Sequence, residues 1–138
     1  MRLVNPKRPN RRAAAAVELA LMLPLLTTIV VIACDFSRLY YSYLTITNCA
    51  RNGALWASDP TMQPYSQYST VTAAAQAGAS NLSTLPSVTS SSGTDANGHS
   101  TVSVTVSYTF HMISSYLGFS TVNLSRTVEM RVAPSTPN

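Results

Sequence analysis

Apolar residues run almost without a break from Ala13 to Cys34, AAAAVELALMLPLLTTIVVIAC, and the pattern changes several times after that. The run holds twenty-two residues with a single charge, Glu18, and a single proline, Pro24. As a helix it would span about 33 Å at ~1.5 Å per residue, against about 30 Å of bilayer hydrocarbon. It predicts one transmembrane helix. From Asp35 onward the apolar positions recur at steps of three and four: Phe36, Leu39 or Tyr40, Tyr43, Ile46, Ala50, Gly53 or Ala54, and Ala57. Such steps mark one helical face, so the helix is expected to continue to Ser58. Asp59-Pro60 stops it, because the residue before a proline is pushed out of the α region.

Thr61–Ser69 reads as a Pro/Gln/Tyr/Ser loop. Val71–Leu82 is alanine-rich, with Val71, Ala74, Ala75, Gly78 and Leu82 on one side, and predicts a short helix. Ser83–Ser100, rich in Ser, Thr, Gly and Asn, reads as a linker or surface loop. The period then becomes two. Thr101–Phe110 sets Val102, Val104, Val106, Tyr108 and Phe110 on one face. Thr121–Val132 does the same with Val122, Leu124, Val128, Met130 and Val132, interrupted by Arg126. Both predict strands, joined through His111–Phe119 as an antiparallel hairpin. Two strands alone are marginal in water. Their apolar face must therefore pack on the upper half of the long helix or on another subunit.

The expected fold class is α+β: one long N-terminal helix, membrane-spanning in its first half, then a small soluble unit with a short helix and an antiparallel β-hairpin. Four regions follow: a basic cytoplasmic arm or leader (1–12), the transmembrane helix (13–34), its extracytoplasmic continuation (35–58), and a small extracytoplasmic α+β region (59–138).

Charge refines this picture. The net charge is +4, which suggests a nucleic-acid partner until it is mapped. Arg2, Lys7, Arg8, Arg11 and Arg12 all precede the apolar run. The remaining four arginines face five acids, so the rest of the chain is close to neutral. The basicity is a topology signal, since Lys and Arg flanking a span stay in the cytoplasm. No nucleic-acid partner is expected. Asp35 and Arg38, three residues apart, can pair where the helix leaves the membrane. Tyr40, Tyr41 and Tyr43 lie where an aromatic belt would sit.

Glu18 and Pro24 ask for more than insertion. A carboxylate within the bilayer costs roughly 2.5–3.5 kcal/mol on insertion scales. Glu18 either sits hydrated near the headgroups or has a cationic partner, and an intramembrane acid is by default a functional residue. Pro24 removes one backbone hydrogen bond and can kink the helix. Cys34 and Cys49 would lie about 22 Å apart along a continuous helix, too far for a bridge within one chain.

The chain shows no catalytic constellation. His99 and His111 have no carboxylate or thiol at relay or ligand spacing, and CxxC, HExxH, GxSxG and glycine-rich phosphate loops are all missing. No cofactor or metal is expected. Glu129 and Arg131 fall on one strand face, where a solvated pair would contribute little.

The segments RRAAAAVELALMLPLL, DFSRLYY and NCARNGALWAS together resemble the TadE-like family, pseudopilins or minor pilins of the bacterial tight-adherence (Flp-type) pilus machinery. The likeness covers Arg11 to about Ala57. It implies a non-enzymatic, single-pass inner-membrane protein with the N-terminus inside and the C-terminal part outside, which a surface pilus can take up. The implied partners are other pilin-like subunits, the prepilin peptidase, the inner-membrane assembly platform and membrane lipid. It also implies a peptidase cut between Ala13 and Ala14, which makes Glu18 the fifth mature residue. The new amine at Ala14 would then be the cation that a neighbouring subunit's Glu18 awaits. Pro24 and the packing stripe Phe36, Leu39, Tyr43, Ile46 and Ala50 would join helix to helix in an assembly. Two positions depart from the family: Ala13 stands where glycine precedes the cut, and Leu19 where an aromatic often follows the glutamate. An uncleaved, membrane-anchored assembly factor is the other form of this reading.

A rival comes from another class. Val31-Ile32-Ala33-Cys34 resembles a lipobox, which would make the chain a bacterial lipoprotein acylated at Cys34 with a structural or binding role. Against it, the apolar run exceeds the 7–15 residues of a signal-peptide core and contains Glu18. A single-pass membrane enzyme has no site to support it.

Overall fold

In a computed structural model the described residues are 11–118 and 120–134. The arm assigned to 1–12 lies outside them through residue 10, while Arg11 and Arg12 already begin the first helix. That helix, α1, is Arg11–Ser58, 48 residues in one piece, about 72 Å long at ~1.5 Å per residue. It passes through Pro24 unbroken. Nearby, Thr27 Oγ1 donates to the Leu23 carbonyl (2.8 Å) and Thr28 Oγ1 to the Pro24 carbonyl (2.9 Å). Hydroxyls that bond back one turn hide their polarity from an apolar surround, so the two threonines do not spoil a span. From Ala13, α1 is long and apolar enough to cross a membrane, and its apolar half is not covered by the other described residues.

The helix ends where Asp59-Pro60 ends it. Asp59 Oδ1 accepts from the backbone amides of Thr61 and Met62 and from the Thr61 hydroxyl. The amide of Ala133 donates to the Ser58 carbonyl at 2.7 Å, so the chain that leaves the last strand satisfies a helix-end carbonyl.

The second helix, α2, is Val71–Gln76, shorter than the predicted Val71–Leu82. Thr70 caps it by accepting from the Ala73 amide. Past Gln76 the chain turns along α1: Ala79 is buried, and Asn81 Nδ2 donates to Thr45 Oγ1 at 2.8 Å. The helix stops early because these contacts lie along α1 rather than on a continued α2 face.

The sheet has three strands, order β1-β2-β3 and antiparallel throughout: β1 Ser87–Thr94, β2 Ser100–His111 and β3 Thr121–Arg131. β2 and β3 match the expected strands. β1 corrects the reading of Ser83–Ser100 as a linker or loop. It holds one apolar residue of consequence, Val88 opposite Val106, and is exposed almost throughout. An edge strand held by backbone bonds to β2 needs no apolar face of its own, so hydrophobic alternation cannot reveal it. The β1–β2 turn is built on Asp95, whose Oδ1 accepts from the amides of Asn97 and His99, with Gly98 at φ 83° completing it. The same oxygen stands 3.3 Å from His99 Nδ1, which corrects the expectation that His99 has no carboxylate in reach. Arg131 Nη2 donates to Asp95 Oδ2 at 2.6 Å, which corrects the expected Glu129–Arg131 pair.

One face of this sheet lies on α1. Val102, Val104, Val106, Tyr108, Phe110 and Leu124 join Ile46, Cys49, Ala50 and Ala54 in a single core, with Ala75 and Ala79 closing one side. The hairpin's apolar face therefore packs on the upper half of the long helix. The outer face carries hydroxyls in facing pairs, Thr105 with Thr127 (2.7 Å) and Ser107 with Ser125 (3.2 Å). Arg126, opposite Val106 in the apolar row, is exposed at the sheet edge.

Gly53 shows how tightly head and helix meet. A Cβ built there would stand 3.1 Å from both Ala75 Cβ and Val104 Cγ1. Gly53→Ala sets a helix-propensity gain of up to ~1 kcal/mol against that crowding and should be nearly neutral. Gly53→Leu cannot be accommodated and should cost about 1–3 kcal/mol. Denaturant unfolding of the detergent-solubilised chain, followed by the fluorescence of its single tryptophan, Trp56, measures both.

Candidate functional site

The site of interest is a surface along α1 rather than a cleft. Glu18 lies in the apolar half, exposed, with no ion-pair partner among the described residues. Around it Val17, Leu19, Leu21, Met22 and Leu23 are more than half exposed. Among the described residues the carboxylate finds neither burial nor a cation. Ala13 and Ala14 are likewise exposed, one turn before it. Pro24 sits in the middle of the same bare stretch.

At the end of that stretch the character of α1 changes over one turn. Cys34 is exposed, and Asp35 beside it is 2% exposed. Asp35 pairs with Arg38 at 3.1 Å, as its spacing predicts. It also accepts from two amides far away in sequence, Ile113 to Oδ1 at 2.9 Å and Ser114 to Oδ2 at 2.7 Å. Those amides open the 3-10 turn Ile113–Leu117 that links β2 to β3, and a helical turn's first amides lack partners of their own. Asp35 thus fastens the base of the sheet to α1 where the bare segment begins. Local spacing could reveal the Arg38 contact but not the amides.

Burial pushes the Asp35 carboxyl up. The Ile113 amide, the Ser114 hydroxyl and amide, and Arg38 pull it down by more, to about 2 from an ordinary 3.8. A depressed carboxyl stabilises the fold above its unfolded value and ceases to as pH falls through its folded value. The fastening should therefore hold at pH 5 and weaken from about pH 4 to pH 2. Asp35→Asn should flatten that part of an acid titration followed by Trp56 fluorescence. An unchanged acid limb in the variant would assign the transition to other carboxylates. Asp59 and Asp95 are also lowered, Asp59 chiefly by the Thr61 hydroxyl and Asp95 chiefly by the His99 amide.

The expected packing stripe divides in the structure. Ile46 and Ala50 are fully buried against the chain's own sheet and α2, with Leu39 and Tyr43 packed on the same core. Phe36 is 70% exposed. The contact of the first four is intramolecular, because the sheet occupies that face. The face left open runs Phe36, Tyr40, Leu44 and, beyond Asn48 and Arg51, Leu55, at helical steps of three and four. Cys49 is buried, and burial pushes its thiol up. No group of His, Cys, Asp and Glu able to hold a metal ion occurs among the described residues.

The chain thus joins a bare apolar half-helix carrying one acid to a small α+β head packed on the helix's own upper half. The sequence model described as TadE-like protein matches residues 13–55, so this chain carries a TadE-like segment that covers the bare half and most of the head-bearing half of α1. No curated protein and no solved structure gives a significant match.

Proposed function

We propose that the protein is a pilin-like component of a bacterial tight-adherence, type IV-like pilus, acting as a minor pilin or as a membrane-anchored assembly factor. Glu18 carries the reading: an exposed acid in a bare apolar helix, within the matched segment. Placed in lipid alone, that carboxylate costs several kcal/mol. Next to the amine of a neighbouring subunit it gains a Coulomb attraction that is large where the dielectric is low. The partners proposed are other pilin-like subunits, the prepilin peptidase that would cut between Ala13 and Ala14, the inner-membrane assembly platform and lipid. The five bases before the span support an orientation with that end in the cytoplasm. The apolar half and Pro24 then meet neighbouring helices, and the open face Phe36–Leu55 continues that contact beyond the membrane.

Intact mass and N-terminal sequencing of protein recovered from membranes test the processing. The expected new terminus is Ala14. A chain that begins at Met1 would make the protein an uncleaved anchor. An acylated Cys34 would make it a lipoprotein and would leave Glu18 in the discarded peptide.

A further inference from the structure

A second feature lies one turn above the bare segment, and the pilin-like reading makes no use of it. A cavity of about 180 Å³ opens there between α1 and the base of the sheet. Its polar lining comes from Arg38, Tyr41 and Ser42 on α1 and from Asn81, Ser83 and His111 of the head. None of the residues around it is acidic. Asp35, the nearest acid in sequence, is turned to the Ile113 and Ser114 amides and takes only one Arg38 nitrogen. The Arg38 guanidinium is steadied over the Phe110 ring, 5.2 Å from its centroid, while half of its side chain is open. A guanidinium has five N–H donors, so several are free for a ligand. On the far wall Ser83 and Tyr108 share a hydroxyl pair at 2.9 Å. A planar cation, an imidazole, hydroxyls and an amide with no carboxylate are the donor set of an oxyanion site.

Height chooses the anion. Arg38 is four residues past Cys34, about 6 Å along the helix at ~1.5 Å per residue. The polar zone of a bilayer adds roughly 5–7 Å to each side of the hydrocarbon. If α1 crosses the bilayer as read above, the cavity mouth stands at the level of lipid phosphates. Phe36 and Tyr40 are exposed at the same height, where aromatic rings favour the interface. We infer that this cavity binds the phosphate of an anionic membrane phospholipid, with Arg38 as its main cation and His111 as a second donor, fixing the head against the membrane surface.

Native mass spectrometry of the full chain in a non-ionic detergent tests this with three probes: a phosphatidylglycerol, a diacylglycerol with the same chains, and inorganic phosphate. The expected result is retention of phosphatidylglycerol but not diacylglycerol, with no displacement by millimolar phosphate. Arg38→Gln should reduce retention about tenfold, the usual scale for a lost charge-assisted hydrogen bond. Arg51→Gln, an exposed arginine higher on α1, should leave it unchanged. His111→Leu, which leaves the Asp35 contacts intact, should reduce it several-fold and decides the matter should Arg38→Gln fail to fold. Equal retention of the two lipids, equal effects of the two arginine variants, or displacement by free phosphate would overturn the inference. Extraction of the chain from native membranes by alkaline carbonate would instead overturn the spanning reading on which the height rests.

Discussion

Glu18→Ala should leave membrane insertion intact or improve it, and should lower incorporation into pilus assemblies at least about tenfold. Insertion improves because the substitution removes a carboxylate that costs roughly 2.5–3.5 kcal/mol at mid-bilayer. Assembly fails because truncating one partner of a close, desolvated charge pair costs about 2–5 kcal/mol, and every 1.4 kcal/mol is tenfold. The opposite signs of the two effects separate this mechanism from simple misfolding. Carbonate-resistant membrane fractionation reports the first and quantitation of sheared surface pili the second. Glu18→Gln keeps the shape and should fail as well, since it has no charge to offer an amine. Normal piliation in both variants would remove Glu18 from the mechanism. The head should be untouched, because Glu18 makes none of its contacts.

Ile46→Pro should unfold the head. Ile46 is fully buried at the centre of the core between α1 and the sheet. Proline in a helix interior costs about 3 kcal/mol or more, and loss of the isoleucine from a packed core adds about 2–5 kcal/mol. Together they approach the whole stability of an ordinary domain, about 5–15 kcal/mol. The apolar half of α1 lies well before the break and should still insert. The expected outcome is thus a membrane-bound chain whose head is cleaved rapidly by added protease and whose Trp56 fluorescence shows no cooperative transition. Ile46→Ala should retain the transition at lower denaturant. A protease-resistant head in the proline variant would mean that the upper half of α1 is not a packed helix.

These two residues also mark what the sequence could and could not convey. The length of α1 was legible because an unbroken apolar run followed by steps of three and four admits few other structures, and Asp59-Pro60 marks its end. The identity of the face was legible too, but its partner was not. Leu39, Tyr43, Ile46 and Ala50 announce only that something covers them, and a neighbouring subunit or the chain's own sheet satisfies the same pattern. Gly53, Ala50 and Ala54 held the answer in their size: small residues in a helix allow close approach, here of Ala75 and Val104. β2 and β3 were legible from alternation because one face of each is covered by α1. β1 was not, because its serines and threonines sit at an edge and its partner is the backbone of β2. Asp35 was half legible. Arg38 lies within local reach, whereas Ile113 and Ser114 come from 78 and 79 residues away, a distance that only the folded chain closes. The cavity beside Arg38 was illegible for the same reason, being built from three separate stretches of chain.

On the function proposed, Glu18 meets the amino terminus of a second pilin-like chain within the membrane. A photo-crosslinking residue placed at Val17, beside the carboxylate and leaving it intact, reports its neighbour in assembled material. The expected products are crosslinked peptides that begin at the processed N-terminus of another subunit, and they should be lost when Glu18 is also replaced by alanine. Crosslinks to lipid alone, unchanged by that replacement, would contradict it.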